Sequence, residues 1–476
     1  MARLRRFGLG VVAASLALSG CSGGASSPFS ALAPVGNNHA ATGTSPIQHV
    51  VLIVQENRTF NNFFATFPGA IGSTTGYELV KNGSTYMKKQ ITLTESKLEM
   101  KDSGNLTHTF PAFLTAYQNG AMDGFNMVKG LGGEPEGPDA YQYVNPSYVQ
   151  PYWTIASQWG LADEMFQTQG SESFTGHQDL IRGGTAINNK ESLVDSPTSG
   201  QVWGCDSPVG TKTSLITTKG QYLRGKGPFP CSNVFPSYGG NGYITLRDLL
   251  DARNVPWKYY TPAFIPKAPN ALWNAFDVIA PVRYGPEWTD GHIASPETSI
   301  FTDIANGALP AMSWVIPDAQ NSDHPGYADQ DTGPSWVASI VNAIGQSSYW
   351  NSTVVIVVWD DWGGFYDPVA PPMPRDHQGG PGFRVPMLVV SPYMQIGAGS
   401  QGGYISNTVY GFGSILRFVE DTFNLGRLGT SDVTSTSMAD MLNFLQPART
   451  FQVIPTKYKR PYFLHQKPSN HPVDTN

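Results

Sequence analysis

Two short apolar runs, separated by most of the chain, each stop abruptly at carboxylates. The first reads His49-Val-Val-Leu-Ile-Val-Gln-Glu56-Asn57-Arg58-Thr59-Phe60, the second Thr353-Val-Val-Ile-Val-Val-Trp-Asp360-Asp361-Trp362-Gly363-Gly364. A continuous β-branched run of this length, without polar alternation, suits a strand covered on both faces. In an open parallel α/β sheet, ligands bind outside the carboxyl ends of the strands. The two runs therefore deliver Glu56, Asp360, Asp361 and the amide of Asn57 to one crevice. Carboxylates that close together repel unless a cation lies between them. Glu56, Asp360 and Asp361 are thus the expected metal ligands. All-oxygen ligation favours a hard divalent cation, Ca²⁺, Mg²⁺ or Mn²⁺, over zinc.

The remaining pattern agrees with that frame. Further strands are expected at Trp257–Tyr260, Met312–Ile316 and Met387–Ser391, beside Val50–Val54 and Val354–Trp359. Helices are expected over Leu246–Arg253, over Ser335–Ile344 after Pro334 in the first turn, and over Ser414–Phe423. Strands alternating with helices imply a central, mostly parallel β-sheet flanked by helices, an α/β fold. With 51 Gly and 37 Pro, long ordered loops must join these elements. The stretch from about 192 to 243 has little periodicity and reads as an insertion near the site.

The first twenty residues read as a leader rather than as structure. Arg3, Arg5 and Arg6 precede the apolar stretch Leu9 to Leu18, which is too short for a permanent membrane span. Leu18-Ser19-Gly20-Cys21 resembles a bacterial lipobox, in which Cys21 becomes the lipidated first residue. Residues 21–46, rich in Ser, Gly, Ala and Asn, then form a flexible tether to a domain spanning 47–476. The expected location is the bacterial cell envelope, the outer membrane or surface, with the chain held to the membrane through Cys21. Asn82, Asn105 and Asn351 stand in Asn-x-Ser/Thr sequons, which carry no meaning in a bacterial lipoprotein.

The net charge is −6, and loss of the leader arginines makes the chain more acidic still. No basic block offsets this, so nucleic acid is excluded as a partner class. Of the 3 cysteines, Cys21 takes lipid; Cys205 and Cys231 remain and most simply form a disulfide in an oxidising compartment.

Six segments, in order, resemble a bacterial phosphoesterase family that holds the non-haemolytic phospholipases C and certain acid phosphatases. They are Glu56-Asn-Arg-Thr-Phe60, Met122-Asp-Gly-Phe125, Ser173-Phe-Thr-Gly-His-Gln178, Ser322-Asp-His-Pro-Gly326, Trp359-Asp-Asp-Trp-Gly-Gly-Phe-Tyr-Asp367 and Arg384-Val-Pro-Met-Leu-Val-Val-Ser-Pro-Tyr393. The resemblance runs from about residue 47 to 446. It implies an alkaline-phosphatase-like core and metal-assisted hydrolysis of a phosphate ester, whether a phospholipase C-type diester or an acid phosphatase-type monoester. The substrate class thus includes phospholipids. Ser173 is implied as the nucleophile and as a further metal ligand, forming a phosphoserine. Asn57 is implied as a donor to a phosphate oxygen. His324 and His108 are implied as groups that contact phosphate or protonate the leaving alkoxide. The chain has Glu172 and Thr175 where the family commonly has proline.

Other residues near these motifs take lesser roles in this reading. Ser171 is the local rival to Ser173. His177 packs or orients the loop, and Asp367 is a loop residue. Arg58 either clamps phosphate or pairs inside the fold, and Asp376 and His377 line the rim. Two other functions stay open: hydrolysis of a sulfate or phosphonate ester, disfavoured by the lack of a Cys-x-Pro-x-Arg segment, and a non-catalytic surface lipoprotein that binds a cation or a glycan through its aromatics.

Overall fold

The run at residues 49–55 becomes strand β1 (His49–Gln55), a middle strand of an eight-stranded sheet. In this computed structural model, residues 45–99, 106–130, 132–198, 203–235, 242–262, 273–327, 331–372, 380–398 and 401–469 are described. The leader, most of the tether, Asp376 and His377 lie outside them. The other strands are β2 (Gly160–Ala162), β3 (Trp257–Tyr260), β4 (Ile293–Ala294), β5 (Met312–Val315), β6 (Thr353–Trp359), β7 (Met387–Val390) and β8 (Tyr404–Ser406). Their order is β4-β3-β5-β1-β6-β7-β2-β8. β7 pairs antiparallel with both neighbours, and every other pairing is parallel.

Val50 to Val54 and Val354 to Trp359 are all buried, as both-face coverage requires. The cover comes from helices α1 (Gln150–Gln158), α2 (Ser173–Arg182), α3 (Thr332–Gly345) and α4 (Phe412–Thr422). α1 packs on α3 and β7, and α2 packs on α4. Trp314 of β5 fastens α2 to the sheet, its indole N–H donating to the Leu180 carbonyl at 3.4 Å.

Each expected strand is present within a residue or so of its expected ends. The shorter β2, β4 and β8 escaped the sequence, because two or three residues carry no readable period. α3 begins at Thr332, earlier than expected. Pro334 sits within its first turn, where amides have no intrahelical partner in any case. The segment after residue 190 forms a small antiparallel sheet of Glu191–Val194, Ser214–Thr217 and Tyr222–Leu223. Cys205 and Cys231 are bonded across a separation of 26 residues. Closing such a loop in the unfolded chain favours the native state by about 3.5 kcal/mol in the chain-entropy picture.

Trp159, Trp203, Trp257, Trp273, Trp314, Trp336, Trp359 and Trp362 are fully buried. They build the core rather than a glycan-binding face. No helix among the described residues is long and apolar enough to cross a membrane.

Candidate active site

Register sets the first half of the site. Gln55 pairs with Trp359 across the parallel ladder, so Glu56 and Asp360 leave the sheet side by side. The Asp360 N–H donates to the Gln55 carbonyl at 3.0 Å, and the Glu56 N–H donates to the Ser322 carbonyl at 2.8 Å. The second bond draws the loop after β5, which carries His324, to the same point. Asn57 sits at φ 48°, in the left-handed region that asparagine tolerates better than most residues. Its N–H donates to Asp360 Oδ1 at 3.2 Å. Gly363, at φ 57°, lets the two strand-end loops touch: a Cβ there would lie 2.2 Å from the Asn57 carbonyl oxygen.

α2 supplies the other half. Ser173 is its first residue. Gly176 lets the helix meet the Asp360 backbone, since a Cβ there would fall 2.7 Å from the Asp360 carbonyl oxygen. Residues four apart share one face of a helix, so Ser173 and His177 both reach the acidic cluster. Ser173 Oγ lies 3.0 Å from Asp361 Oδ2, 3.2 Å from Glu56 Oε2 and 3.2 Å from Asn57 Oδ1. His177 Nε2 lies 2.7 Å from Glu56 Oε1 and 3.7 Å from Asp360 Oδ2. Ser171 faces elsewhere: it donates to Asp195 Oδ1 at 3.0 Å and accepts from the Asp195 N–H at 2.7 Å.

Two more histidines close the cluster. His108 Nε2 is 3.2 Å from the Asn57 amide and 3.6 Å from Asp361 Oδ2, while its Nδ1 donates to the Leu106 carbonyl at 2.7 Å. His324 Nδ1 donates to the Pro325 carbonyl at 2.8 Å, and its ring stacks between Trp273 and Tyr327. With the Asn57 amide turned, its nitrogen donates to Glu56 Oε2 at 2.8 Å and to Asp360 Oδ1 at 3.2 Å. Its oxygen then accepts from Nε2 of both His108 and His324 at 3.2 Å.

Every one of these side chains is buried. Burial, then the charges of Glu56 and Asp361, push the Asp360 carboxyl well above the usual carboxylate range. Burial pushes the His177 imidazole down to about 4, against the pull of Asp360 and Asp361. A neutral imidazole and carboxylates are what a cation binds. Asp360 Oδ2 is buried with no hydrogen-bond partner, and Glu56, His177 and Asp360 offer ligand atoms within 4.8 Å of one another. These residues fit a divalent cation. With His177 in the set, the all-oxygen argument against zinc loses its ground. Asp361 adjoins this group: Oδ2 accepts from Ser173 at 3.0 Å and Oδ1 from the Gly363 N–H at 2.8 Å.

Arg58 pairs inside the fold. Its Nε donates to the Asp323 carbonyl at 2.9 Å and its Nη2 to the Leu98 carbonyl at 2.6 Å. Asp367 is more than a loop residue: its Oδ1 accepts from Arg384 Nε at 2.9 Å, both side chains fully buried. The disulfide-bearing segment reaches the site through Trp203, whose ring meets those of His177 and Phe174 edge-on.

Residues 47–426 match the sequence model of the Phosphoesterase family. The chain belongs to this family. Among curated relatives, it is 24% identical over 420 residues to a non-hemolytic phospholipase C of Pseudomonas aeruginosa, covering 80% of this chain and 54% of that protein. It is 28% identical over 449 residues to phospholipase C B of Mycobacterium tuberculosis, covering 84% of this chain and 78% of that protein. The chain thus spans about half the length of the Pseudomonas relative. Among solved structures, it is similar to an alkaline phosphatase superfamily protein from Vibrio parahaemolyticus at 11% identity, covering 84% of this chain and 72% of that one. The TM-score is 0.34.

The structure brings together Glu56, Asn57, Asp360, Asp361, Ser173, His108 and His324, the residues singled out from sequence. The residue whose place sequence reasoning missed is His177. The signal was present in the Ser173-x-x-x-His177 spacing, which is that of one helical face.

Proposed function

We propose that this chain hydrolyses phosphate esters, phospholipid diesters among them, through a phosphoserine at Ser173. The observation that carries this reading is Ser173 Oγ at the first turn of α2, within 3.2 Å of Glu56, Asn57 and Asp361. The names of the curated relatives support the substrate class.

A divalent cation held by Glu56, His177 and Asp360, with Ser173 beside it, would lower the pKa of a hydroxyl and offset phosphate charge. Asp361 Oδ2, 3.0 Å from Ser173 Oγ, takes the hydroxyl proton as the Oγ–P bond forms. The positive end of α2 favours the anionic phosphoryl group at its first residue. Asn57, His108 and His324 converge on the same point and hydrogen-bond the non-bridging oxygens. His324 gives a proton to the departing alkoxide as the ester P–O bond breaks. Water then attacks phosphorus and breaks the Oγ–P bond: its hydroxyl leaves on the released phosphate or phosphomonoester, its other proton restores His324, and Asp361 returns its proton to the Ser173 oxygen.

Assays of p-nitrophenyl phosphate and p-nitrophenyl phosphocholine test this. Ser173→Ala should lose several powers of ten in turnover, on the order seen when catalytic nucleophiles are removed. Ser171→Ala should lose far less, because its hydroxyl is engaged with Asp195. Loss confined to Ser171→Ala, or to neither, contradicts the reading.

The location belongs to the same proposal. Lipid on Cys21 would hold the catalytic domain at a membrane, within reach of phospholipid. Cys21→Ser should release the protein or block its processing, read by detergent partitioning; unchanged membrane association contradicts the anchor.

A further inference from the structure

A two-stranded antiparallel hairpin, Thr75–Asn82 with Thr85–Thr92, follows β1 in the chain and turns at Gly83 and Ser84. Isolated hairpins are marginal in water, and this one is fastened at its base. Gly76 lies against the Tyr366 ring so closely that a Cβ would come 2.7 Å from it, and Tyr366 stands in the segment that follows Asp361. The Tyr141 hydroxyl donates to the Tyr77 carbonyl at 2.6 Å, and the Asn126 amide bonds both the N–H and the carbonyl of Leu79, at 3.1 and 2.8 Å. Lys88 lies 4.3 Å over the Tyr77 ring and 3.6 Å from Asp123.

Beyond that base, the hairpin exposes apolar bulk. Tyr86 is 54% exposed and Met87 49%, next to the turn, with Tyr77 44% exposed nearer the base. Lys81 stands across from Tyr86, on the same face of the ribbon. Lys88 is paired with Asp123, and Lys89 with Glu78 at 3.2 Å, so Lys81 carries the hairpin's excess positive charge in a chain whose net charge is −6. A lysine beside an exposed tyrosine at a hairpin tip matches an anionic bilayer surface. Tyrosine favours the headgroup boundary, and each lysine near an anionic surface adds to the attraction.

We propose that this hairpin seats the protein on anionic phospholipid membrane. Tyr86 and Met87 enter the headgroup boundary, and Lys81 faces lipid phosphate. The inference rests on the reading of phospholipid as substrate and names the surface from which it is taken.

The test compares the full-length protein on three substrates: phosphatidylcholine vesicles, the same vesicles containing phosphatidylglycerol, and soluble p-nitrophenyl phosphocholine. The wild type should prefer the anionic vesicles, and added salt should weaken the preference. Tyr86→Ser/Met87→Ser should lower kcat/KM on anionic vesicles by about tenfold and Lys81→Gln by about fivefold, on the scale of interfacial apolar and charge contacts. Both should leave the soluble rate within about twofold of wild type, since the hairpin touches no reacting group. Thr85→Lys, a change at an exposed position, should raise the anionic-vesicle rate severalfold and decides the matter if the other variants fail to fold. Equal wild-type rates on both vesicles, or no response to Thr85→Lys, overturn the hairpin inference alone. Cleavage of the soluble diester but of neither vesicle overturns the phospholipid reading and the hairpin inference with it.

Discussion

His177 Nε2 lies 2.7 Å from Glu56 Oε1, joining the first turns of α2 to the end of β1 across 121 residues of sequence. This contact ties the helix that carries Ser173 to the carboxylates at the sheet edge. It also places a neutral nitrogen donor in the candidate cation site.

Cation binding should therefore depend on His177. His177→Ala should raise the dissociation constant for Mn²⁺, read by calorimetry or electron paramagnetic resonance, by at least about tenfold, the scale on which metal sites respond to lost support. Chelation should abolish ester hydrolysis, and a divalent cation should restore it. Undiminished Mn²⁺ affinity in His177→Ala would remove the imidazole from the site.

A second prediction concerns the buried cation that fixes the loop after Asp361. Arg384 donates to Asp367 Oδ1 at 2.9 Å, to the Asp163 carbonyl at 2.8 Å and to the Ile71 carbonyl at 2.9 Å. Removing one partner of a buried pair strands the other, at about 3–5 kcal/mol. Arg384→Ala should lose that much stability in urea denaturation. A loss under about 1 kcal/mol would mean that water or rearrangement satisfies Asp367.

Much of this was legible because strand ends are. Two uniformly apolar runs that stop at Glu56 and Asp360 fix a parallel pair, and the pair fixes where those carboxylates point. His177 was not legible in the same way. Its role needs α2 to begin at Ser173 and Gly176 to admit the Asp360 carbonyl, both products of tertiary packing. Helix α2 left little trace in the sequence because it is weakly apolar at its start, with Ser173, Thr175 and Gly176 buried by their neighbours rather than by their own chemistry. Asp367 carried no signal of its partner, since Arg384 lies in another segment and buried ion pairs leave no periodic trace.

Stability should also depend on pH through Glu297. Burial, reinforced by Asp318, lifts its carboxyl from the ordinary 4.5 to about 8. Between those values the native state keeps a proton that the unfolded chain has lost. The associated stability is complete below the unfolded value and is lost as pH rises through the folded one. Glu297→Gln, which cannot ionise, should lose less stability than wild type between pH 5 and pH 8. Urea midpoints of both proteins at the two pH values measure this, and parallel shifts would contradict it.

The central claim is that Ser173 carries the phosphoryl group. Rapid acid quench of the protein turning over p-nitrophenyl phosphate, followed by peptide mass spectrometry, reads this directly. A phosphate mass is expected on the peptide containing Ser173, absent from Ser173→Ala and present in Ser171→Ala. A wild type that turns over the ester with no phosphopeptide at any quench time, while Ser173→Ala keeps its rate within about tenfold, contradicts the account and assigns the attack to water instead.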